Sequence, residues 1–250
     1  DSSVMLELFK KSFYPSNIPI PFLHIDTGWK FKEMIRFRDK VYENNSLKGH
    51  VYSNEEGMKL GINPFDNSNY TDVMKTQALK AALKNGKYDF VFGGARRDEE
   101  ASRSKEKVVS HRDKNNRWDP KNQNIEPWHI FNTSKEPDES FRVFPLSNWT
   151  ELNVWEYISQ ENIKIVPLYF SKKRKVVITD NQIFLYDDNR FRLKEGDKVK
   201  SLNVRFRTLG CYPLTAGIES NANTVQDIIK EVRKSNYSER NGRLIDYDKL

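Results

Sequence analysis

The sequence predicts an α/β fold with a mostly parallel sheet, helices on both faces, and a smaller C-terminal extension that contains a β-hairpin. Two short apolar runs, Phe22–Ile25 and Tyr88–Phe92, are each followed by a polar turn and a helical pattern. This order is typical of strands in a parallel sheet. A third observation is that Asp180-Asn181 separates two further apolar runs, which predicts the hairpin.

Helices are predicted wherever apolar residues recur every three or four positions. The first begins at Asp1, because Asp and Ser suit a helix N-terminus and an apolar stripe follows. The last begins near Thr224, since Val225, Ile228, Ile229 and Val232 lie on one helical face. The remaining predicted helices cover residues 30–42, 71–84 and 150–161.

Two stretches carry no clear periodicity. Residues 47–70 are polar and rich in turn-forming residues. Residues 111–140 form a longer polar stretch, and a loop of this length in a compact domain is typically a lid, a binding segment or disordered.

Composition limits the class of protein. The chain has 250 residues, of which 37% are hydrophobic, with 15 Phe, 11 Tyr and 5 Trp, enough for a packed core. No run approaches the ~18 apolar residues that a membrane helix needs, and no signal-peptide pattern is present. Cys211 is the single cysteine, which excludes an internal disulfide and favours a small buried side chain. We therefore expect a soluble, cytoplasmic protein without a membrane partner.

The chain is basic, with 42 Lys and Arg against 35 Asp and Glu, a net charge of +7. This balance indicates anionic partners or simply ordinary solubility. Aromatic residues are not interleaved with the basic ones as a nucleic-acid platform requires, so no nucleic-acid partner is expected. The four histidines lack the spacing of metal ligands, and we expect no protein-held metal site.

The strongest local motif is the run Gly93-Gly94-Ala95-Arg96-Arg97-Asp98-Glu99, directly after a predicted strand. Two glycines allow close approach of the backbone to a ligand, and a following helix would offer its N-terminal amides to an anion. Arg96 and Arg97 add forked donors suited to phosphate or sulfate oxygens. The alternative is a strand–helix turn with solvated arginines.

Two weaker motifs have structural alternatives as well. Asp26-Thr27-Gly28 ends a predicted strand, where it could contact a nucleotide or merely cap the next helix. Arg205 and Arg207 alternate along a predicted strand and so lie on one side of it. That side could be an anion site or a face for an acidic partner, or a solvated surface.

Taken together, these motifs resemble the sulfonucleotide branch of the PP-loop ATP pyrophosphatase superfamily, which includes the phosphoadenosine phosphosulfate reductases. Within that branch they resemble the small subunit of bacterial sulfate adenylyltransferase. The similarity runs from end to end of the chain. The motifs that carry it are Asp1-Ser2, His24–Gly28, Gly93–Glu99, Arg117–Gln123, Phe141–Glu151, Val204–Leu214, Ser220–Ala222 and Ser238–Arg240.

The resemblance implies a Rossmann-like sheet of the adenine nucleotide alpha hydrolase-like kind. Residues 1–170 would form the PP-loop nucleotide-binding core and residues 171–250 the C-terminal extension. The implied reaction joins ATP and sulfate to give adenosine 5′-phosphosulfate and pyrophosphate, with Mg²⁺ arriving with ATP. A larger GTPase subunit is the implied partner, and its GTP hydrolysis would drive the equilibrium.

The resemblance also implies roles for individual residues. Arg96 and Arg97 would be catalytic, and Arg205 and Arg207 would contact sulfate. The implied nucleotide-binding residues are Asp1, Ser2, Asp26, Thr27, Gly28, Gly93 and Gly94.

Two alternative functions stay open at this point. A phosphosulfate reductase shares the same motifs but relies on a C-terminal Glu-Cys-Gly segment that this sequence lacks. A non-catalytic subunit that only docks the GTPase would keep the fold without the chemistry. In the family a Ser-Gly-Gly-Lys segment precedes the position of Asp1 and a basic tail follows that of Leu250, and we expect both to lie outside the given sequence.

Overall fold

The structure, a computed structural model, describes residues 1–99 and 103–235. The α-helices are α1 (Ser2–Phe13), α2 (Lys32–Asn44), α3 (Glu55–Lys59), α4 (Ala78–Gly86), α5 (Glu151–Gln160) and α6 (Val225–Lys234). A π-helical segment, Asp72–Gln77, leads into α4, and short 3-10 turns occur at Pro127–His129 and Pro167–Tyr169. The strands are β1 (Phe22–Ile25), β2 (Gly49–Tyr52), β3 (Phe90–Phe92), β4 (Val109–Arg112), β5 (Ser140–Val143), β6 (Lys172–Thr179), β7 (Gln182–Leu185), β8 (Val199–Arg205) and β9 (Ile218–Glu219).

The α/β class is confirmed, but the strands of the described residues form three separate sheets rather than one. β1 and β2 pair in parallel, as do β3 and β5, whereas β4 joins β5 antiparallel. The C-terminal sheet, in the order β7-β6-β8-β9, is antiparallel throughout. The two parallel pairs fit the expectation of a mostly parallel sheet, with α2 as the helical crossover between β1 and β2, whereas the antiparallel pairing of β4 and of the C-terminal sheet does not.

The predicted hairpin is confirmed as β6 and β7. Its two-residue turn, Asp180-Asn181, has φ values of 51° and 59°. Positive φ at both central residues matches the twist of the flanking strands, which is why Asp and Asn suit this position. The sheet extends further than the sequence indicated, because β8 pairs along the other edge of β6.

Helices α1, α5 and α6 share the largest apolar cluster of the described residues. Val4, Val154, Ile158 and Ile228 are each at most 5% exposed within it. Both later helices begin as predicted: the Thr150 hydroxyl accepts from the Asn153 amide in a capping box, and Thr224 caps α6 through the Asp227 amide.

Helix α1 also connects the first two sheets. The ring of Phe9 lies 6.3 Å from that of Phe22 in β1 and 5.1 Å from that of Phe92 in β3, edge-on to both. This packing sets the N-terminus of α1 beside the turn that follows β3.

The helix predicted after that turn would begin among residues 100–102, which lie outside the described residues. Arg97 to Glu99 form a turn. The Asp98 carboxylate accepts from the backbone amide of Glu151 at 3.1 Å instead of capping its own segment, and the Arg97 amide donates to the Ser147 carbonyl at 2.9 Å. The turn is thus anchored to the segment that leads into α5.

The polar stretches hold more regular structure than their composition suggested. β2 and α3 lie within residues 47–70, and β4 and β5 enclose the long polar stretch. β4 was not predicted because Ser110 and Arg112 are buried polar residues that give it no apolar pattern. The motif Ser238–Arg240 lies outside the described residues. Across those residues, no helix has both the length and the apolar character needed to span a membrane.

Candidate functional site

The centre of the candidate site is the contact between the N-terminus of α1 and the turn after β3. A Cβ placed on Gly94 would lie 2.6 Å from the Cβ of Asp1, closer than such atoms approach. Glycine at position 94 is therefore required by proximity and not by its backbone angles. Asp1 and Ser2 begin α1, and Asp1 makes no side-chain capping bond, so the amides of the first turn depend on other acceptors.

Arg96 holds this contact together. Its side chain is 1% exposed, and its Nε donates to Asp1 Oδ1 at 2.9 Å. Its Nη1 lies 3.6 Å from Asp98 Oδ2. A buried guanidinium between two carboxylates fixes the turn relative to the helix N-terminus, where an anion is favoured by the helix dipole.

Arg97 contacts a different set of groups. Its Nε and Nη2 donate to the backbone carbonyl of Glu106 at 3.1 and 2.9 Å, and its Nη1 donates to the Asn148 side chain. The guanidinium is thus oriented by the segments on both sides of the turn and is only half-buried.

The turn Asp26-Thr27-Gly28 is built separately, at the carboxyl end of β1. The Gly28 amide donates to Asp26 Oδ1 at 2.8 Å, and Gly28 has a φ of 73°, which favours glycine there. Thr27 is 1% exposed and its hydroxyl lies 3.9 Å from Cys211 Sγ. A recess of about 240 Å³ opens beside this turn, lined by Thr27, Gly28, Trp29, Met58, Gly61, Ile62, Asn63 and Met74.

Arg190 holds this turn from the other end of the chain. Its Nη1 donates to the Gly28 carbonyl and its Nη2 to the Lys30 carbonyl, both at 3.1 Å. The guanidinium lies over the Tyr212 ring, 4.7 Å from its centroid. Nothing in the sequence connected residue 190 with this turn, because the two positions are 162 residues apart.

The carboxylate of Asp188 orients the Arg190 guanidinium. This carboxylate accepts from Arg190 at 2.9 Å and forms an ion pair with Lys32 at 3.0 Å. Burial raises the pKa of Asp188, but the hydrogen bonds from Arg190 and Lys32 outweigh that effect and lower the pKa to about 2.

This lowered pKa predicts a pH-dependent stability. Because the carboxyl has a lower pKa folded than unfolded, its stabilising effect is present above about pH 4 and is lost as the pH falls toward 2. Asp188→Asn should therefore cost about 2 kcal/mol of unfolding free energy at pH 7, and the difference from wild type should close in acid. Urea unfolding from pH 2 to 7 measures it. Glu195→Gln, on an exposed side chain of a nearby loop, is the control; a gap that does not depend on pH would contradict the prediction.

Comparison with known proteins decides the family. Residues 1–217 match the model of the phosphoadenosine phosphosulfate reductase domain family. The protein named sulfate adenylyltransferase subunit 2 from Aliivibrio fischeri (strain MJ11) is 57% identical over 250 residues, which span 99% of this chain and 83% of that protein. The proteins of the same name from Acinetobacter baumannii (strain AYE) and Geotalea daltonii are each 56% identical, again over 99% of this chain. This chain belongs to the sulfate adenylyltransferase subunit 2 family.

A solved structure is also similar to part of this chain. The phosphate complex of phosphoadenylyl-sulfate (PAPS) reductase from Candida auris matches with a TM-score of 0.45 and 19% identity, over 66% of this chain and 70% of that one. This overlap is too small to support an inference about the chain.

For a sulfate adenylyltransferase subunit, the positions of Arg205 and Arg207 are unexpected. Arg205 is 1% exposed and pairs with Glu231 of α6 at 2.7 Å, while Arg207 pairs with Glu151 of α5. The Arg205 guanidinium therefore joins β8 to α6, and that of Arg207, two residues after β8 ends, joins the following segment to α5. Their predicted contact with sulfate stays a prediction that this arrangement does not favour.

The structure brings some predicted residues together and leaves others apart. Asp1, Gly94 and Arg96 are in direct contact. Arg207 is connected to them indirectly, because Glu151 binds it through the carboxylate and binds Asp98 through its amide. The turn at residues 26–28 is held by Arg190 and packs against Met58 and Cys211. No three His, Cys, Asp or Glu side chains of the described residues gather where they could hold a metal ion.

Proposed function

We propose that this chain carries the adenylyl-transfer site of a sulfate adenylyltransferase. A sulfate oxygen attacks the α-phosphorus of ATP, a new oxygen–phosphorus bond forms, and the bond between that phosphorus and the bridging oxygen to the β-phosphate breaks. The products are adenosine 5′-phosphosulfate and pyrophosphate. The observation that carries the proposal is the 57% identity over nearly the whole chain to proteins of that name.

The geometry supports one position for the phosphates of ATP and another for its base. The N-terminus of α1 with Asp1 and Ser2 is suited to the β- and γ-phosphates, because a helix N-terminus favours an anion and the Asp1 side chain does not cap its first-turn amides. The absence of a side chain at Gly94 lets the turn after β3 lie directly against this N-terminus, since a Cβ there would meet Asp1 at 2.6 Å. The recess beside the turn at residues 26–28 has the largely apolar lining of a pocket for a base.

Arg97 and Arg96 have different roles in this proposal. Arg97 stabilises charge on the α-phosphate during adenylyl transfer, since its forked guanidinium is already oriented by Glu106 and Asn148. Arg96 acts as a positioning residue, because its guanidinium lies against Asp1 and keeps the helix N-terminus against the turn. No covalent intermediate is needed, so the protein contributes orientation and electrostatic stabilisation. Mg²⁺ enters as MgATP, the substrate.

The proposed partner is a larger GTPase subunit. The relatives carry the name subunit 2, which supports a partner subunit in this protein as well. GTP hydrolysis by that partner would draw an otherwise unfavourable equilibrium toward product. The reductase alternative is disfavoured, because Cys211 is 9% exposed and packs with Tyr70 and Met74 instead of lying open to a substrate.

Arg97→Ala tests the proposal. The full-length protein is co-expressed with its partner subunit, and pyrophosphate and adenosine phosphosulfate are measured from MgATP, sulfate and GTP. We expect sulfate-dependent product from wild type and a loss of about ten- to hundredfold in the variant, the effect of removing a charged hydrogen bond. Arg233→Ala, a 60% exposed side chain of α6, should leave the rate unchanged. A well-formed wild-type complex that makes no product would leave a docking subunit or a different acceptor.

A further inference from the structure

A cluster of buried hydrogen-bond donors lies on the β4–β5 pair, outside the site described above. Ser110 pairs with Arg142 across the two strands, and Arg112 pairs with Ser140, so all four side chains share one face of the sheet. Ser110 is 0% exposed and Arg112 8%. Within residues 1–99 and 103–235, the Ser110 hydroxyl, Arg112 Nη1 and Arg142 Nε have no hydrogen-bond partner.

Trp118 adds a fourth donor to this face. The guanidinium carbon of Arg112 lies over the Trp118 ring, 5.9 Å from its centroid. The indole N–H of Trp118 is buried, and it too lacks an acceptor among the residues that the structure describes. The cluster thus presents donors from two guanidinium groups, an indole and a hydroxyl.

The charges around these donors do not balance. Glu106 forms an ion pair with Arg112, and no other carboxylate pairs with either arginine within the described parts of the chain. Burial, together with the nearby Arg112, lowers the pKa of Arg142 to about 10. The buried guanidinium of Arg112 and the half-buried one of Arg142 therefore share one carboxylate. Such unpaired buried donors are costly and in native proteins usually indicate a bound water or ion.

One residue, Glu106, connects this cluster to the proposed site. The Glu106 carboxylate binds Arg112, and the Glu106 carbonyl accepts from Arg97 at 2.9 Å. A ligand held by Arg112 and Arg142 would therefore lie next to the segment that orients Arg97.

We propose that this face of β4 and β5 binds a tetrahedral oxyanion through Ser110, Arg112, Trp118 and Arg142. An oxyanion offers only acceptors and negative charge, which complements a set of donors with excess positive charge. In the reaction proposed above, such an anion is either the acceptor sulfate or a phosphate group of ATP. That identification rests on the proposed function, whereas the anion site itself rests on the buried donors.

Arg142→Met tests the site, because it removes the guanidinium and keeps an apolar stem. Binding of sodium sulfate and of MgATP to the full-length protein is measured by titration calorimetry at constant ionic strength. We expect the dissociation constant of one of them to rise about ten- to hundredfold. The thermal midpoint without ligand should not fall, since an unneutralised buried charge is removed. Arg117→Met is the matched control, because its side chain is 70% exposed in the same polar segment.

The ligand that loses affinity identifies the anion: sulfate indicates the acceptor and MgATP a nucleotide phosphate. Unchanged affinity of Arg142→Met for both sulfate and MgATP overturns the site. A variant that has a lower thermal midpoint without ligand but binds both ligands normally also overturns it. If Arg142→Met does not fold, Ser110→Ala replaces it, and a severalfold rise in the same constant is expected.

Adenylyl transfer by the wild-type complex is measured in parallel. If the wild-type complex is active and the variant binds both ligands normally, the oxyanion site is rejected and the proposed function stands. If the wild-type complex is inactive but its sulfate binding depends on Arg142, the proposed function is rejected and the oxyanion site stands.

Discussion

Gly94→Ala is expected to reduce adenylyl transfer about hundredfold, as misplacing reacting groups by about 1 Å does. The added methyl would lie 2.6 Å from the Cβ of Asp1 and 3.5 Å from its carbonyl carbon. Neither atom belongs to the far end of a flexible side chain, so the turn after β3 and the start of α1 must separate. The groups that the proposal assigns to the triphosphate would then no longer face one ligand. Initial rates of pyrophosphate release with the partner subunit measure the effect.

Gly93→Ala is the matched control for this variant. A methyl at position 93 would lie 3.3 Å from a ring carbon of Phe144, and the ring can shift by a few tenths of an ångström. We therefore expect a rate within about threefold of wild type, in line with the small free-energy cost of tolerated substitutions. Equal losses in both variants would show that the turn needs glycine for another reason than its contact with Asp1.

Arg96→Met should destabilise the fold by about 3 kcal/mol and abolish most of the activity. The side chain is 1% exposed, and its removal leaves Asp1 and Asp98 without the cation between them. Losing a hydrogen bond to a charged group costs about 1.5–3 kcal/mol, and the upper value applies because Arg96 is 1% exposed, although the Asp1 and Asp98 side chains are 31% and 50% exposed. Urea unfolding gives the change in free energy, and the sulfate-dependent rate gives the change in activity.

The control is Arg36→Met, which removes the same charge from an exposed position on α2. Arg96→Lys distinguishes charge from geometry, because a lysine keeps the positive charge but cannot contact both carboxylates as a fork. A stable, active Arg96→Met protein would mean that the contact between α1 and the turn does not depend on this ion pair.

The sequence predicted the parts of the fold that apolar periodicity marks. Helices α5 and α6 and the β6–β7 hairpin were found because their apolar residues recur at fixed intervals and polar residues mark their ends. β4 was missed because its buried face consists of Ser110 and Arg112. The three-sheet arrangement could not be predicted, since the pairing of short strands depends on tertiary contacts between distant residues.

The candidate site was predicted in its residues more than in its geometry. The motif at 93–99 predicted an anion site, and the resemblance added Asp1, which lies in contact with Gly94 and Arg96. The pairing of Arg205 with Glu231 could not be foreseen, because the two residues are 26 positions apart in the chain. Arg142 was missed for a related reason: its isolation among buried donors exists only once β4 and β5 have paired.

The hydrogen bonds from Arg190 to the carbonyls of Gly28 and Lys30 have a consequence for folding during translation. During synthesis the turn after β1 leaves the ribosome about 160 residues before the side chain that secures it. Contacts of such long sequence separation form late in folding. The nascent N-terminal half therefore carries this turn without its hydrogen bonds to Arg190 until the segment after β7 has been translated.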